Sequence, residues 1–262
     1  QFAHGPDGAL YVVDMYRELI EGAAFLPPEV LQQMDPLAGC ERGRIYRIVP
    51  TDFVQPPLQP LGAMSTSQLV AQLTHPNGWR RDTASRLLYE RQDAAAAPLV
   101  RDLLATTDQP LGRLHALAVL AGLDALAETD VARGLADEHP GVRAHAVRLA
   151  EPLVAGSSAL ADRLAALVDD PAAEVRYQLA FSSWALPRAL RDSTLVALLR
   201  RDGADAWFRL AAQSALADEP GGVLAELLAD ERYAATPAGR EFLAALARQI
   251  GRAGRRDDEA RR

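Results

Sequence analysis

Residues 170–180 read Asp-Pro-Ala-Ala-Glu-Val-Arg-Tyr-Gln-Leu-Ala, a proline followed by a helical pattern that carries an arginine. Related segments recur along the chain, and their arginines lie 32, 30, 33 and 33 residues apart: Arg81, Arg113, Arg143, Arg176 and Arg209. Prolines precede four of them, at positions 76, 110, 140 and 171. Proline is best tolerated in the first turn of a helix, so we expect each of these to lie in one. With shorter amphipathic segments in between, the repeat predicts two antiparallel helices per unit.

The Asp-Pro-x-x-x-Val-Arg-x-x-x-Ala pattern of this stretch resembles a HEAT-like repeat. In such arrays each helix pair exposes an apolar face that the next pair covers, so neighbouring pairs share their stability. We therefore predict a mainly α fold in which residues 65–252 form a HEAT-like α-solenoid. The remaining residues 253–262 are polar and predict a frayed tail.

The recurring arginines allow two interpretations. They could form a stripe that binds a ligand, or they could bond adjacent repeats as a ladder. An arginine at one place in each unit, with an aspartate one turn earlier, favours the ladder. The tryptophans at positions 79, 184 and 207 lie in helical patterns, and we expect them to belong to the core.

Residues 1–50 predict a small β-segment. Residues 4–17, His-Gly-Pro-Asp-Gly-Ala-Leu-Tyr-Val-Val-Asp-Met-Tyr-Arg, read as a tight turn that leads into a strand. Residues 43–50, Gly-Arg-Ile-Tyr-Arg-Ile-Val-Pro, predict a second strand that ends at a proline. Between them we expect an irregular segment with a short helix after Pro27-Pro28, and residues 51–64 should form a proline-rich linker. Because two strands alone are marginal in water and the chain opens with Gln1, we expect a fragment of a larger β-domain.

Composition narrows the function classes. A net charge of −7 argues against a nucleic-acid-binding surface, which needs a basic face. No apolar run approaches the roughly 18 residues of a membrane span. The single cysteine, Cys40, excludes an internal disulfide and a cysteine-rich metal site. Because the chain has no Cys-x-x-Cys-His, His-x-x-x-His, Gly-x-Gly-x-x-Gly or P-loop motif, we expect it to bind no metal and no cofactor.

The candidate catalytic residues lie in the β-segment: His4, Asp14, Arg17 and Arg44. An aspartate among apolar strand residues is costly to bury unpaired, so Asp14 should pair with Arg17 or Arg44. Such a pair could brace the sheet. It could also line the central channel of a propeller, where ligand sites are commonly built. The sequence leaves both interpretations open and favours bracing.

Several segments, taken in order, resemble the PVC-type haem-binding proteins, also described as membrane-bound dehydrogenases. They are residues 4–17 and 43–50, Ile20-Glu with Leu26-Pro-Pro-Glu29, and residues 75–88, His-Pro-Asn-Gly-Trp-Arg-Arg-Asp-Thr-Ala-Ser-Arg-Leu-Leu, followed by Glu90-Arg-Gln-Asp93. The resemblance covers residues 1–93. It implies an N-terminal β-propeller similar to those of sugar dehydrogenases, then HEAT-like repeats, then a c-type cytochrome domain. Residues 1–50 would be the last blade of that propeller.

The resemblance implies c-type haem in the parent protein and an extracytoplasmic location, periplasmic or membrane-associated, because such haem is attached there. Two functions follow as expectations. In the first, this chain is the scaffold that joins the propeller to a downstream haem domain. In the second, the repeats are an interaction module that holds a protein partner on the solenoid face, beside a non-catalytic propeller. We expect residues 1–262 alone to lack dehydrogenase activity, because a propeller site needs several blades and a redox step needs a cofactor.

Overall fold

The computed structural model describes residues 1–17, 19, 20 and 22–260, with side chains through Arg252. The protein is mainly helical, with a small antiparallel sheet near its N-terminus. The sequence predicted a mainly helical fold with a small N-terminal β-segment, and the structure confirms this. The chain divides into two compact units, Gln1–Arg91 and Gln92–Arg262.

Three strands form the sheet of the first unit: β1 (Phe2–His4), β2 (Leu10–Asp14) and β3 (Arg44–Ile48). They are antiparallel in the order β1-β2-β3, with Tyr11 opposite Arg47 and Asp14 opposite Arg44. The sequence analysis found β2 and β3 but missed β1. A strand of three residues is too short to show the alternation by which strands are recognised.

The turn between β1 and β2 is the predicted Pro-Asp-Gly turn. It closes where the amide of Gly5 donates to the carbonyl of Ala9 at 2.9 Å. Gly8 has a φ of +85°, a conformation that favours glycine. A side chain at Gly5 would collide with the ring of Tyr11. The sequence of this turn is therefore fixed by backbone conformation at one glycine and by close packing at the other.

The connection from β2 to β3 is irregular and contains a 3₁₀ turn (Ala23–Phe25) and a short helix α1 (Pro28–Leu31), as predicted. Residues 53–60, all of them described, form neither helix nor strand. A 3₁₀ turn (Leu61–Ala63) then leads to α2 (Thr66–Gln72) and α3 (Gly78–Arg91). Helix α2 begins with a capping box, in which the side chain of Ser65 and that of Gln68 each accept from the other's backbone amide.

One side chain joins the sheet to the helices of the first unit. Asn77, directly before α3, accepts the amide hydrogen of Trp79 on Oδ1 at 2.9 Å and so caps the helix. Its Nδ2 donates to the carbonyls of Gly5 and Pro6, at 3.1 and 3.2 Å. The same amide group thus fixes the β1–β2 turn against the start of α3.

The described part of the second unit is helical. Its helices are α4 (Ala96–Thr106), α5 (Pro110–Gly122), α6 (Glu128–Leu135), α7 (Pro140–Val154), α8 (Ser158–Ala166), α9 (Ala173–Ser182), α10 (Arg188–Asp202), α11 (Ala206–Ala215), α12 (Gly221–Ala229), α13 (Glu231–Ala235) and α14 (Pro237–Ala260). Two 3₁₀ turns, Leu167–Asp169 and Ser183–Ala185, follow α8 and α9.

These helices pack in two series. Helices α5, α7, α9 and α11 contact one another in order, and so do α6, α8, α10 and α12. The core between the series is built mainly from alanine and leucine, and its fully buried leucines include Leu117, Leu120, Leu160, Leu164, Leu179 and Leu195. Burial of one leucine side chain stabilises a fold by about 1.5–3 kcal/mol, so this continuous core holds the series together.

The recurring arginines bond successive units of the sequence repeat. Arg143 donates through Nε and Nη2 to both carboxylate oxygens of Asp170, at 2.7 and 2.8 Å. The same bidentate geometry joins two further pairs, Arg113 with Asp137 and Arg176 with Asp202. The ladder that the sequence predicted is therefore confirmed for these three rungs.

Each ladder arginine also donates hydrogen bonds to backbone carbonyls of its own unit. Nη1 of Arg143 donates to the carbonyls of Asp137 and Glu138, at 2.8 and 3.0 Å, just before the helix that carries Arg143. The side chains of Arg143 and Asp170 are only 12% and 3% exposed. A buried ion pair is tolerated when further hydrogen bonds satisfy both charges. These carbonyls accept from Arg143, and the Ala172 amide donates to Asp170 at 2.9 Å.

Two repeat prolines differ from their predicted positions. The prolines at 110 and 140 occupy the first turn of α5 and α7, as expected. Those at 76 and 171 precede α3 and α9 by two residues, so the prediction is wrong for them. At the second site the amide of Ala172 donates to the carboxylate of Asp170 at 2.9 Å. The same turn forms at Asp137, and α7 and α9 each begin three residues after the aspartate. Pro171 directly follows its aspartate and therefore lies before the helix, whereas Pro140 is the first helical residue.

The tryptophans differ as well. Trp184 and Trp207 are 58% and 65% exposed, so the expectation that they belong to the core is wrong. Trp79 is half-buried. A helical pattern places a residue on a helix but does not say which face a neighbouring helix covers.

The C-terminal helix α14 extends to Ala260, beyond residue 252, where the repeats were predicted to end. For the predicted polar tail, side chains 253–260 and residues 261–262 lie outside the described part of the chain. Among the described helices, none has both the length and the apolar character needed to cross a bilayer.

Candidate functional site

Asp14 and Arg44 lie opposite each other at one end of the sheet. Nε of Arg44 is 3.5 Å from Oδ2 of Asp14, and Oδ1 of Asp14 accepts the amide hydrogen of Tyr16 at 2.8 Å. The expectation that Asp14 pairs with an arginine is confirmed, and Arg44 is the partner. With 34% and 39% of their side chains exposed, the two charges are partly screened by water.

Tyr16 completes this cluster. Its φ of +48° lies in the left-handed region, which is strained for a residue with a side chain. The guanidinium of Arg44 lies 4.1 Å from the centroid of its ring, a cation–π contact. Gly39, with a φ of +79°, approaches the Tyr16 carbonyl so closely that a side chain would not fit. The strained conformation is thus held by Asp14, Arg44 and Gly39 together.

A cleft of about 1160 Å³ opens beside the cluster, and Asp14 and Arg17 line it with Asp35, Glu41 and Arg42. A smaller cleft of about 390 Å³ is lined by Asp14, Arg17, Arg44 and Cys40. The structure therefore brings Asp14, Arg17 and Arg44 together.

His4 is not part of this group. It is exposed on β1 and pairs with Leu10, four residues along β2 from Asp14. At the rise of a strand this separation is about 13 Å. His4 therefore cannot share a reacting atom with Asp14 in this arrangement.

Cys40 lies at the rim of the smaller cleft. Its Sγ donates to Glu41 at 3.2 Å, and this hydrogen bond, with some burial, raises the pKa of the thiol above its ordinary value. A thiol is a weak nucleophile until it ionises, so Cys40 is not an activated cysteine.

The two clefts beside Asp14 are suited to binding a charged or polar group. They combine arginines with carboxylates, and no histidine is among the residues that line either one. Within the described chain, no group of three histidine, cysteine or carboxylate side chains is arranged to hold a metal ion. The arrangement can bind a polar group through ion pairs and hydrogen bonds, and it can brace the sheet.

A family model described as "Domain of unknown function (DUF7133)" matches residues 1–52. This range contains the three strands and both clefts. Comparison with curated proteins gave no match.

The sequence analysis predicted neither the burial nor the partners of Asp7, which lies in the turn between β1 and β2. The Asp7 side chain is only 3% exposed and accepts from Tyr11 Oη at 2.9 Å, from the Ala9 amide at 3.0 Å and from Arg47 Nε at 2.8 Å. Burial alone would raise the pKa of Asp7, but these hydrogen bonds and the charge of Arg47 outweigh it and lower the pKa. The guanidinium of Arg47 also donates to Gln55 and lies 4.9 Å from the Phe53 ring centroid.

The sequence contained part of the information that predicts the contacts of Asp7 with Tyr11 and Arg47. Tyr11 and Arg47 lie opposite each other in the register of β2 and β3, so they share a face of the sheet. That register cannot be read from the sequence without knowing how the strands pair. The Pro-Asp-Gly sequence predicted a turn, but it did not predict that the side chain of Asp7 is buried.

Proposed function

We propose that this chain is the scaffold portion of a multidomain redox protein of the membrane-bound-dehydrogenase type, located outside the cytoplasm. In this proposal its helices join a β-propeller to a c-type haem domain. The observation that carries the proposal is the ladder of buried Arg–Asp pairs between successive helices. Bidentate pairs with extra carbonyl bonds resist bending between units, and a rigid connector sets the distance between the domains at its ends.

Residues 1–50 would contribute one blade to the propeller. One face of the sheet carries Phe2, Tyr46 and Ile48, which are 76%, 46% and 54% exposed, and Leu10 and Val12 lie on the same face. Extended apolar surface of this kind usually marks a contact with another protein surface. Neighbouring blades would cover it.

The helical unit would be a HEAT-like solenoid. The support is the regular order of contacts, α5 to α7 to α9 to α11, together with the repeat of about 30 residues. In a solenoid each unit contacts only its neighbours, so the ladder would run the length of the array.

The protein translated from the complete reading frame tests this function. We expect a covalent c-type haem in its pyridine haemochrome spectrum. Loosening one rung by Asp170→Asn should slow reduction of that haem by substrate without changing the haem content. A complete protein with no covalent haem would overturn the redox part of the proposal.

The second candidate function, a protein-interaction module, is supported by a different observation. Trp184 and Trp207 are more than half exposed on the helical unit. Exposed tryptophans are enriched where proteins bind partners. The two functions are compatible, because a scaffold can also hold a partner.

A further inference from the structure

We propose that a cleft between the first turns of α9 and α11 binds an arginine side chain of a partner protein. The cleft measures about 320 Å³ and is lined by Ala173, Glu174, Tyr177, Asp205, Trp207 and Phe208. Pockets for small molecules measure about 300–1,000 Å³, so this one suits a single side chain. The inference deepens the interaction-module candidate and is independent of the redox proposal.

Aromatic rings form the wall of the cleft. The Tyr177 ring meets Phe208 edge to face, with centroids 5.3 Å apart, and meets Phe181 in the same way at 5.1 Å. Phe208 is only 7% exposed, so this wall is fixed in the core. Trp207 stands next to it with 65% of its surface exposed. A guanidinium stacks favourably on such a ring, and tryptophan is the best partner.

Two carboxylates at the cleft have capacity to accept hydrogen bonds. Oδ1 of Asp205 accepts the Trp207 amide at 2.7 Å, and no described residue donates to its Oδ2. No described residue donates a hydrogen bond to the side chain of Glu174 either. The arginines of the same helices are engaged elsewhere, Arg176 with Asp202 and Arg209 with Glu241.

The balance of charge therefore selects a cation. Each helix N-terminus contributes a partial positive charge of about 0.5. The positive charge of Arg143 also acts on Glu174, but Arg143 is itself paired with Asp170. The two full negative charges of Glu174 and Asp205 therefore exceed the two partial charges together. A planar guanidinium can stack on the indole and still donate to both carboxylates.

The repeat itself does not require aromatic residues here. Tyr177 directly follows the recurring arginine Arg176, and Trp207 lies two residues before the recurring arginine Arg209. One unit earlier, Ala144 and Glu174 occupy the corresponding positions. Helices α7 and α9 pack without an aromatic pair at this place. The pair is a feature of one interface rather than of the architecture.

The test is an NMR titration of the ¹⁵N-labelled protein, observed at its three tryptophan indole resonances. The probe is the peptide Gly-Ser-Gly-Arg-Gly-Ser-Gly, and the control replaces its arginine by citrulline, which has nearly the same shape and no charge. We expect a saturable shift of the Trp207 resonance with a Kd on the order of 1 mM. Binding of the citrulline peptide should be weaker by about tenfold or more.

Matched variants locate the site. Trp207→Ala, read at the backbone amide resonances of α9 and α11, and Glu174→Gln, read at the Trp207 indole, should abolish or weaken binding. Trp184→Ala, at another exposed tryptophan, should leave it unchanged. Because Trp184 and Trp207 are both largely exposed, both alanine variants should fold, which circular dichroism checks. Equal binding of the two peptides, no saturable shift, or loss of binding in Trp184→Ala would overturn the proposal. None of these outcomes bears on the haem content of the complete protein.

Discussion

A single carboxylate, Asp170, shows how the ladder contributes to stability. Its side chain is 3% exposed and receives two bonds from Arg143, whereas the adjacent Asp169 is 91% exposed and lies 3.9 Å from Arg201. Removing one partner of a buried ion pair costs about 3 kcal/mol or more, and an exposed pair contributes about 1 kcal/mol or less. We expect Asp170→Asn to lower the free energy of unfolding by about 3 kcal/mol and Asp169→Asn to change it by less than about 0.5 kcal/mol. Urea unfolding at pH 7 measures both, and similar losses in the two variants would contradict the ladder.

The same residue predicts a dependence on pH. Burial would raise the pKa of Asp170, but the hydrogen bonds from Arg143 and the Ala172 amide outweigh it, so the pKa is lowered. The stabilisation is therefore present above the pKa of the unfolded chain, about 3.9, and is lost as the pH falls through the folded-state value. The gap in unfolding free energy between wild type and Asp170→Asn should be constant from pH 7 to pH 5 and should narrow below about pH 4. A gap that stays constant down to pH 3 would show that the carboxylate charge is not what stabilises the rung.

At the scale of elements, Asn77 links the β1–β2 turn to α3. Asn77→Asp keeps the acceptor that caps the helix but loses the donor to Gly5 and Pro6, whereas Asn77→Ala loses both. We expect amide hydrogen exchange in residues 1–15 to accelerate by about tenfold in both variants, because an acceptor left unpaired costs about 1–3 kcal/mol. Exchange at the start of α3 should accelerate only in Asn77→Ala. Acceleration of both segments in Asn77→Asp would mean that the link is not specific to the turn.

The elements also show what the sequence could predict. The ladder arginines were predictable, because a spacing of 30–33 residues repeats one local environment. The Asn77 link and the Asp7–Arg47 pair were not, since they join residues 71, 72 and 40 positions apart whose proximity depends on the fold. Strand β1 was not predicted, because three residues are too few to show a strand's alternation. Trp184 and Trp207 were wrongly assigned to the core, because periodicity does not reveal which helix faces remain uncovered. At the candidate site, the sequence predicted that Asp14 pairs with Arg17 or Arg44, and the strand register selects Arg44. The separation of His4 from Asp14 was not predicted.

For the whole molecule, we propose that these 262 residues provide rigid connection rather than catalysis. In this proposal the cleft beside Asp14 would supply charges for binding, and the Arg–Asp ladder would supply stiffness. A redox step needs a cofactor to carry electrons, which the proposal assigns to other domains of the complete protein.

The most direct test is dye reduction by the purified 262-residue protein, with a panel of sugars and alcohols, in the presence and absence of pyrroloquinoline quinone. Circular dichroism first establishes that the preparation is folded and helical, and a visible spectrum records any bound chromophore. We expect a helical, colourless protein that reduces no dye when substrate is added. Substrate-dependent dye reduction by this protein would contradict this expectation and would place a catalytic site among these residues.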